Sequence, residues 1–349
     1  MALTAQSLSI SYRLAAAHVG PKWLTEDGIV DNAFAANATL QQFKRRFRMK
    51  RLAGGERVFW GVRLEKGGGE GSYSGFDTVD VTPPDTDTVA QANTKEYWRP
   101  VAYSYRDRDL VRGPRAFAEE FRIRLEQALK RIGDDLNIHG QSDDGSGNGS
   151  KRIRGMKLWI APDPTAAGTP GGVDQANNSN WRNQRIDNSN TLGDLLLDLR
   201  SVATLSKSGN EGPTFIICNR SFRDALEGTF TDTFQHNPVI TSAGEPNKGK
   251  MGDPAIGTLY YRGIPIYEDE SYTQYGTTTG PGEALGIREQ DFAFVNALEN
   301  ARYEGLFEYV EPVRGTTQTA EVGGVRAHLE LICFQRRRSF IIHNVAADA

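Results

Sequence analysis

Phe117, Phe121, Leu125, Leu129, Ile132 and Leu136 recur at steps of three and four residues, the clearest helical signal in the chain. At 3.6 residues per turn these side chains share one face of an amphipathic helix. Pro114 suits the first helical turn, where its missing N–H has no partner to lose, and Gly140 is placed to end the helix. A helix from Pro114 to Ile138 is roughly 37 Å long. An apolar stripe of that length has to be covered along its whole run, and the segments around it are mostly strands, so the chain is α+β.

The first strand is Val58, Trp60, Val62 and Leu64 alternating with Phe59, Gly61 and Arg63. The glycine-rich run 66–72 then predicts a flexible turn, and a return strand carries Tyr73, Phe76, Val79 and Val81 before Pro83 and Pro84 stop it. Two strands alone are marginal in water, so a hairpin over 56–84 needs a partner. Tyr97, Val101, Tyr103 and Tyr105 mark a further strand. After the helix come a polar loop over 140–152, a strand-like run Met156–Ala161 and an irregular stretch over 162–190. Residues 191–305 read as an α/β lobe. It has a helix through Leu192–Leu205, a strand Phe215–Cys218, a helix Arg220–Glu227 capped by Asn219, a bent strand pair Leu259–Tyr267 and a strand Asp291–Asn296. Strand patterns return at Phe307–Val310, Val325–Phe334 and Phe340–Val345.

The net charge of -3 over 349 residues argues against a dedicated nucleic-acid reader, which would carry a basic domain. The charge is uneven, however: residues 1–55 hold eight Lys/Arg against three acids. Glycine, at 37 residues, exceeds the average usage of ~7% and points to long loops. Burial completed against neighbouring molecules would explain this together with the modest 38% hydrophobic content, and so would a highly soluble monomer with long loops. The two cysteines, Cys218 and Cys333, lie in apolar runs and read as buried thiols of a reducing compartment. No cationic start followed by an apolar core marks a secretory signal, and no run of ~20 apolar residues marks a membrane span.

A basic arm, a long hairpin, a strand leading into a long helix, a Gly/Asn-rich loop, an α/β lobe and terminal strands follow one another in that order. This succession resembles the major capsid proteins of tailed bacteriophages with the HK97 fold. Local stretches carry the same resemblance: Glu96–Asp107 with Asp109 and Leu110; Gly155–Ala161 with Gly171–Asp174 and Asn180–Arg182, similar to a block of podophage-like capsid proteins; and Tyr261–Asp269. The resemblance implies an N-terminal arm at 1–55, an extended hairpin loop at 56–84, and a peripheral domain at 85–189 with its spine helix at 114–139. It further implies an axial domain at 190–305 and C-terminal strands at 306–349 that return to the peripheral domain. The implied function is a homo-oligomeric shell of hexamers and pentamers enclosing a double-stranded DNA genome. It would be found in the virion and assembled in the host cytoplasm, with a separate scaffolding protein, a portal, a possible decoration protein and weak non-specific DNA contact as partners. Some members of the family cross-link a loop lysine to an asparagine of another subunit. Lys66 lies in the loop here, but neither that asparagine nor the catalytic glutamate can be matched, so no cross-linking is expected.

The contacts expected to join subunits are Phe43, Lys44, Arg45, Arg46, Phe47 and Arg48 on the arm and Trp60, Tyr73 and Phe76 on the hairpin. Aromatic and arginine residues are favoured at protein interfaces, and the phenylalanines interleave with the charges as docking on a protein would require. Contact with packaged DNA or an acidic scaffold is the other reading of the basic run, and the core of a small sheet the other reading of the hairpin aromatics. No catalytic, cofactor or metal site is expected. Gly244–Lys250 fits most of a phosphate loop, but Met251 stands where a Mg²⁺-ligating hydroxyl is needed. The five histidines lack metal-ligand spacing, and Arg336-Arg337-Arg338 reads as a solvated turn. Two rival functions remain, a nanocompartment shell of the encapsulin type and a nucleotide-binding enzyme built on the lobe.

Overall fold

The computed structural model describes residues 38–52, 56–65, 74–75, 86–104, 114–188, 195–209, 211–233, 259–269, 272, 282–298, 307–314 and 320–345. In chain order the main elements are α1 (Ala38–Arg46), β1 (Arg48–Arg51), β2 (Arg57–Arg63), β3 (Asp87–Asn93), β4 (Lys95–Ser104), α2 (Pro114–Ser142), β5 (Gln184–Asp187), α3 (Leu195–Leu205), β6 (Phe215–Cys218), α4 (Arg220–Thr233), β7 (Leu259–Tyr261), β8 (Ile264–Glu268), β9 (Gly282–Ile287), β10 (Phe292–Asn296), β11 (Glu308–Arg314), β12 (Ala320–Cys333) and β13 (Phe340–Val345). The chain divides into two units, one of residues 1–35, 96–135 and 300–328, the other of 36–95, 136–299 and 329–349.

In the first unit the leading part of β12 pairs antiparallel with β11 and is also joined by β4. Register shifts between Val310 and Val313, where Pro312 interrupts the ladder it cannot donate to. A Cβ on Gly324 would come within 2.6 Å of the Arg99 carbonyl and 2.7 Å of the Trp98 ring, so only glycine lets β12 lie this close to β4. Arg99 is ion-paired with Asp135 of α2. Ala128 and Ile132 of α2 are buried. The side chains of Phe117 and Phe121 lie outside the described residues.

In the second unit six strands form a sheet in the order β5-β13-β9-β6-β8-β7. Helices α3 and α4 cover it. Leu195, Leu199 and Val202 from α3 and Phe222, Ala225 and Leu226 from α4 pack on Ile216, Ile266, Phe340 and Ile342. Gly286 makes room for Phe340, whose ring would lie 2.1 Å from any Cβ there. Asn219 caps α4 through the Phe222 N–H at 3.1 Å and takes the Glu283 N–H at 2.9 Å with the same oxygen, tying the helix start to β9. Parallel pairing of β1 with β10, and antiparallel pairing of β10 with the end of β12, makes a further layer.

Four expectations change. The partner of 57–63 is 87–93, with Arg57 opposite Asn93, rather than the segment after Tyr73. Met156–Trp159 is a helical turn rather than a strand, because the Trp159 indole donates to the Leu331 carbonyl at 3.1 Å and is buried there. Helix α2 runs through Gly140 to Ser142; Gly140 is buried, and a Cβ there would lie 3.8 Å from both Phe43 and Ile153. Terminal strand β13 enters the six-stranded sheet of the α/β lobe between β5 and β9, where Phe340 and Ile342 join its core.

Candidate assembly surfaces

Helix α1 starts on side chains from distant parts of the second unit. The Thr39 N–H donates to Asp269 Oδ2 at 2.7 Å and the Leu40 N–H to Asn137 Oδ1 at 2.8 Å, while Gln141 Nε2 donates to Thr39 Oγ1 at 2.8 Å. These partners satisfy N–H groups that a helix start leaves open. The cations Lys44, Arg45 and Arg46 sit in its last turn, where the helix dipole favours them.

The sequence expectation for this segment is half corrected. Phe43 and Phe47 are core residues: their rings stack at 4.6 Å, and Phe47 stacks on Phe292 at 5.5 Å. Four-residue spacing puts both on one face and the charges on the others, so what interleaves in sequence separates in space. Arg46 is also committed within the unit, to Glu289 and the Tyr267 hydroxyl, each at 3.2 Å. Lys44 is half-buried, whereas Arg45 and Arg48 are exposed, as are Lys50 and Arg51.

On the β2–β3 hairpin the two faces are reversed from the expectation. Trp60, Val62, Ala90 and Ala92 are buried, and Trp60 lies 6.0 Å from the Trp159 ring and 6.4 Å from Phe334. Trp60 is therefore a packing residue of its own subunit. Phe59 and Val89 face out, 60% and 62% exposed, and lie diagonal to each other, Val89 opposite Gly61 and Phe59 opposite Gln91. An outward phenylalanine and valine beside Gly61 make an apolar spot, rimmed by Gln91, Arg57 and the Arg63–Asp87 ion pair at 2.8 Å. Tyr73 and Phe76 lie outside the described residues.

Arg336 is fully buried, not a solvated turn residue. Its guanidinium donates to the Trp159 carbonyl, to Gln175 Oε1 at 3.0 Å and to Asn183 Oδ1 at 3.2 Å, and lies over the Trp181 ring. Burial lowers its pKa to about 10. These bonds hold the irregular stretch 162–188 in place. Arg338 pairs with Glu211 at 2.6 Å, leaving Arg337 as the exposed member of the three.

Two buried acids differ in how they are served. Glu283 meets Lys157 Nζ at 3.2 Å and accepts the Tyr272 hydroxyl at 2.6 Å. Glu330 accepts the Arg154 N–H at 2.8 Å and the Leu331 N–H through Oε1, but its buried Oε2 has no partner among the described residues. Burial pushes the Glu330 pKa up to about 8, against the opposing Arg154 and Lys95 charges. The unfolded carboxyl loses its proton near 4.5 and the folded one near about 8, so the folded state binds more protons between them. Stability therefore falls as pH rises through that window. Glu330→Gln is expected to melt with the parent below the lower bound and several degrees above it by about pH 8, read by circular dichroism. A gap that does not grow with pH contradicts the assignment.

Among the described residues, no three His, Cys, Asp or Glu side chains lie close enough to hold a metal ion, and no helix is long and apolar enough to cross a membrane. The 244–251 loop lies outside the described residues.

No family model and no curated protein matches the sequence. Solved structures do. A chain of the Cyanophage A-1(L) capsid asymmetric unit superposes with a TM-score of 0.63 at 13% identity, over 91% of this chain and 95% of that one. The chain has the HK97 capsid fold. A capsid chain of the native GTA particle matches with a TM-score of 0.55 at 10% identity, over 95% and 99% of the two chains. The SrpI encapsulin of Synechococcus elongatus PCC 7942 shares the HK97 fold too, with a TM-score of 0.56 at 13% identity and 96% of each chain covered.

Proposed function

We propose that this chain is the shell subunit of a tailed phage, a major capsid protein whose copies close around a double-stranded DNA genome. The match to a cyanophage capsid chain over nine-tenths of both chains carries the reading. The outward pair Phe59 and Val89 supports it, because an exposed apolar spot on a two-stranded hairpin gains by being covered. Copies associate into hexamers and pentamers through repeated heterologous contacts, each modest and together large. The hairpin face, Arg45 and Arg48 are the contacts assigned to this association, and Phe43, Phe47 and Trp60 pack within their own subunit. A scaffolding protein, a portal and possible decoration proteins complete the particle, which is built in the host cytoplasm and touches its DNA weakly. No step of this role requires catalysis.

Sedimentation velocity of the purified full chain tests it. Ring-sized and shell-sized species are expected to grow with concentration, alone or with the scaffolding protein co-expressed, and a monomer at every concentration in both preparations contradicts the proposal. The encapsulin match supports a second reading, a cargo-holding compartment. Particles taken from the native source would then hold a protein cargo and no nuclease-protected DNA.

A further inference from the structure

Among the described residues strand β1 is the end strand of its sheet, and its one neighbour there is β10, paired parallel from Arg48 opposite Ala293 to Arg51 opposite Asn296. The Leu52 N–H continues this ladder onto the Asn296 carbonyl at 2.9 Å. Main-chain groups alternate in direction along a strand, so Arg48, Lys50 and Leu52 aim theirs at β10. Met49 and Arg51 aim theirs at the open edge. All four side chains are exposed, Met49 at 41%, and three of the four are cationic. Arg45 stands exposed just before them. Among the described residues no carboxylate reaches ion-pair distance of Arg45, Arg48, Lys50 or Arg51, although the Arg48 charge acts on Asp291, and Lys50 rests over the Phe334 ring at 4.3 Å.

We propose that the open edge of β1 takes an acidic, extended segment of a partner protein as an added strand. The outward groups of Met49 and Arg51 offer both donors and acceptors. An extended polypeptide satisfies both kinds, whereas a nucleic-acid backbone supplies acceptors alone. Pairing between two copies of β1 would set cation against cation, so the charges that block self-pairing also select an acidic strand. The exposed Met49 adds an apolar contact within the charged row. A four-residue edge gives few main-chain bonds, so charge pairing supplies much of the affinity and salt weakens it. Nothing in this inference depends on shell formation, so its failure and that of the shell reading are distinguishable.

The test is fluorescence anisotropy of the full chain with a labelled peptide of alternating glutamate and valine, beside the same peptide N-methylated at alternate amides and a labelled DNA duplex. Two variants separate the contributions. Lys50→Glu with Arg51→Glu reverses surface charge. Met49→Pro removes one outward N–H and leaves the bonds to β10, since proline is tolerated where an edge N–H faces solvent. The unmethylated peptide is expected to bind, and each variant to weaken it by about tenfold or more. No peptide binding, binding indifferent to N-methylation, or binding indifferent to Met49→Pro overturns the proposal. So does a duplex that binds more tightly than the peptide and ignores Met49→Pro while losing affinity on charge reversal.

Discussion

Trp60→Glu is expected to unfold the subunit, and Phe59→Glu, one residue away, to leave it folded and unable to associate. Trp60 is buried against Trp159 and Phe334. Truncating a buried tryptophan costs about 3–5 kcal/mol, and an unpaired buried carboxylate adds to that, against a total stability of about 5–15 kcal/mol. Phe59 faces water, so its replacement changes stability by no more than about 0.5 kcal/mol. In a shell the same change puts a charge into an apolar contact repeated at every subunit. Melting followed by circular dichroism, with sedimentation of the folded variant, reads both effects. A Trp60→Glu protein that melts like the parent overturns the packing assignment. A Phe59→Glu protein that assembles normally removes the hairpin face from the interface.

Arg336→Ala carries the second large effect. It strips donors from the Trp159 carbonyl and from Gln175 and Asn183 within the irregular stretch 162–188. Leaving buried acceptors unpartnered, with a cavity where the guanidinium lay over Trp181, is expected to cost about 3–5 kcal/mol. Proteolysis is expected to move into 162–188 in the variant. Arg337→Ala removes an exposed side chain bonded to Asn180 at 3.4 Å and is expected to cost no more than about 0.5 kcal/mol. Equal melting temperatures for the two variants contradict this account.

The elements that sequence reasoning located are those whose signal is local. Alternation over 57–63, the cap at Asn219 and the apolar run Phe215–Cys218 each appear where expected. What it missed depends on contacts from far along the chain. Nothing near Arg336 announces that residues 150–180 positions earlier will enclose it. The Glu330 carboxyl likewise depends on the Arg154 N–H, 176 residues away. The hairpin faces are legible in the alternation itself: Trp60 and Val62 alternate with Phe59, Gly61 and Arg63, and the uniformly apolar row is the one that packs. On the arm, Phe43 and Phe47 at helical spacing already marked a buried stripe beside the charges.

Electron microscopy of the purified full chain, alone and with a co-expressed scaffolding protein, tests the central claim most directly. The shell reading predicts uniform closed particles with icosahedral symmetry, or rings of five and six copies that close when the scaffold is present. A monodisperse monomer or small oligomer in both preparations, with no rings at high concentration, would contradict it.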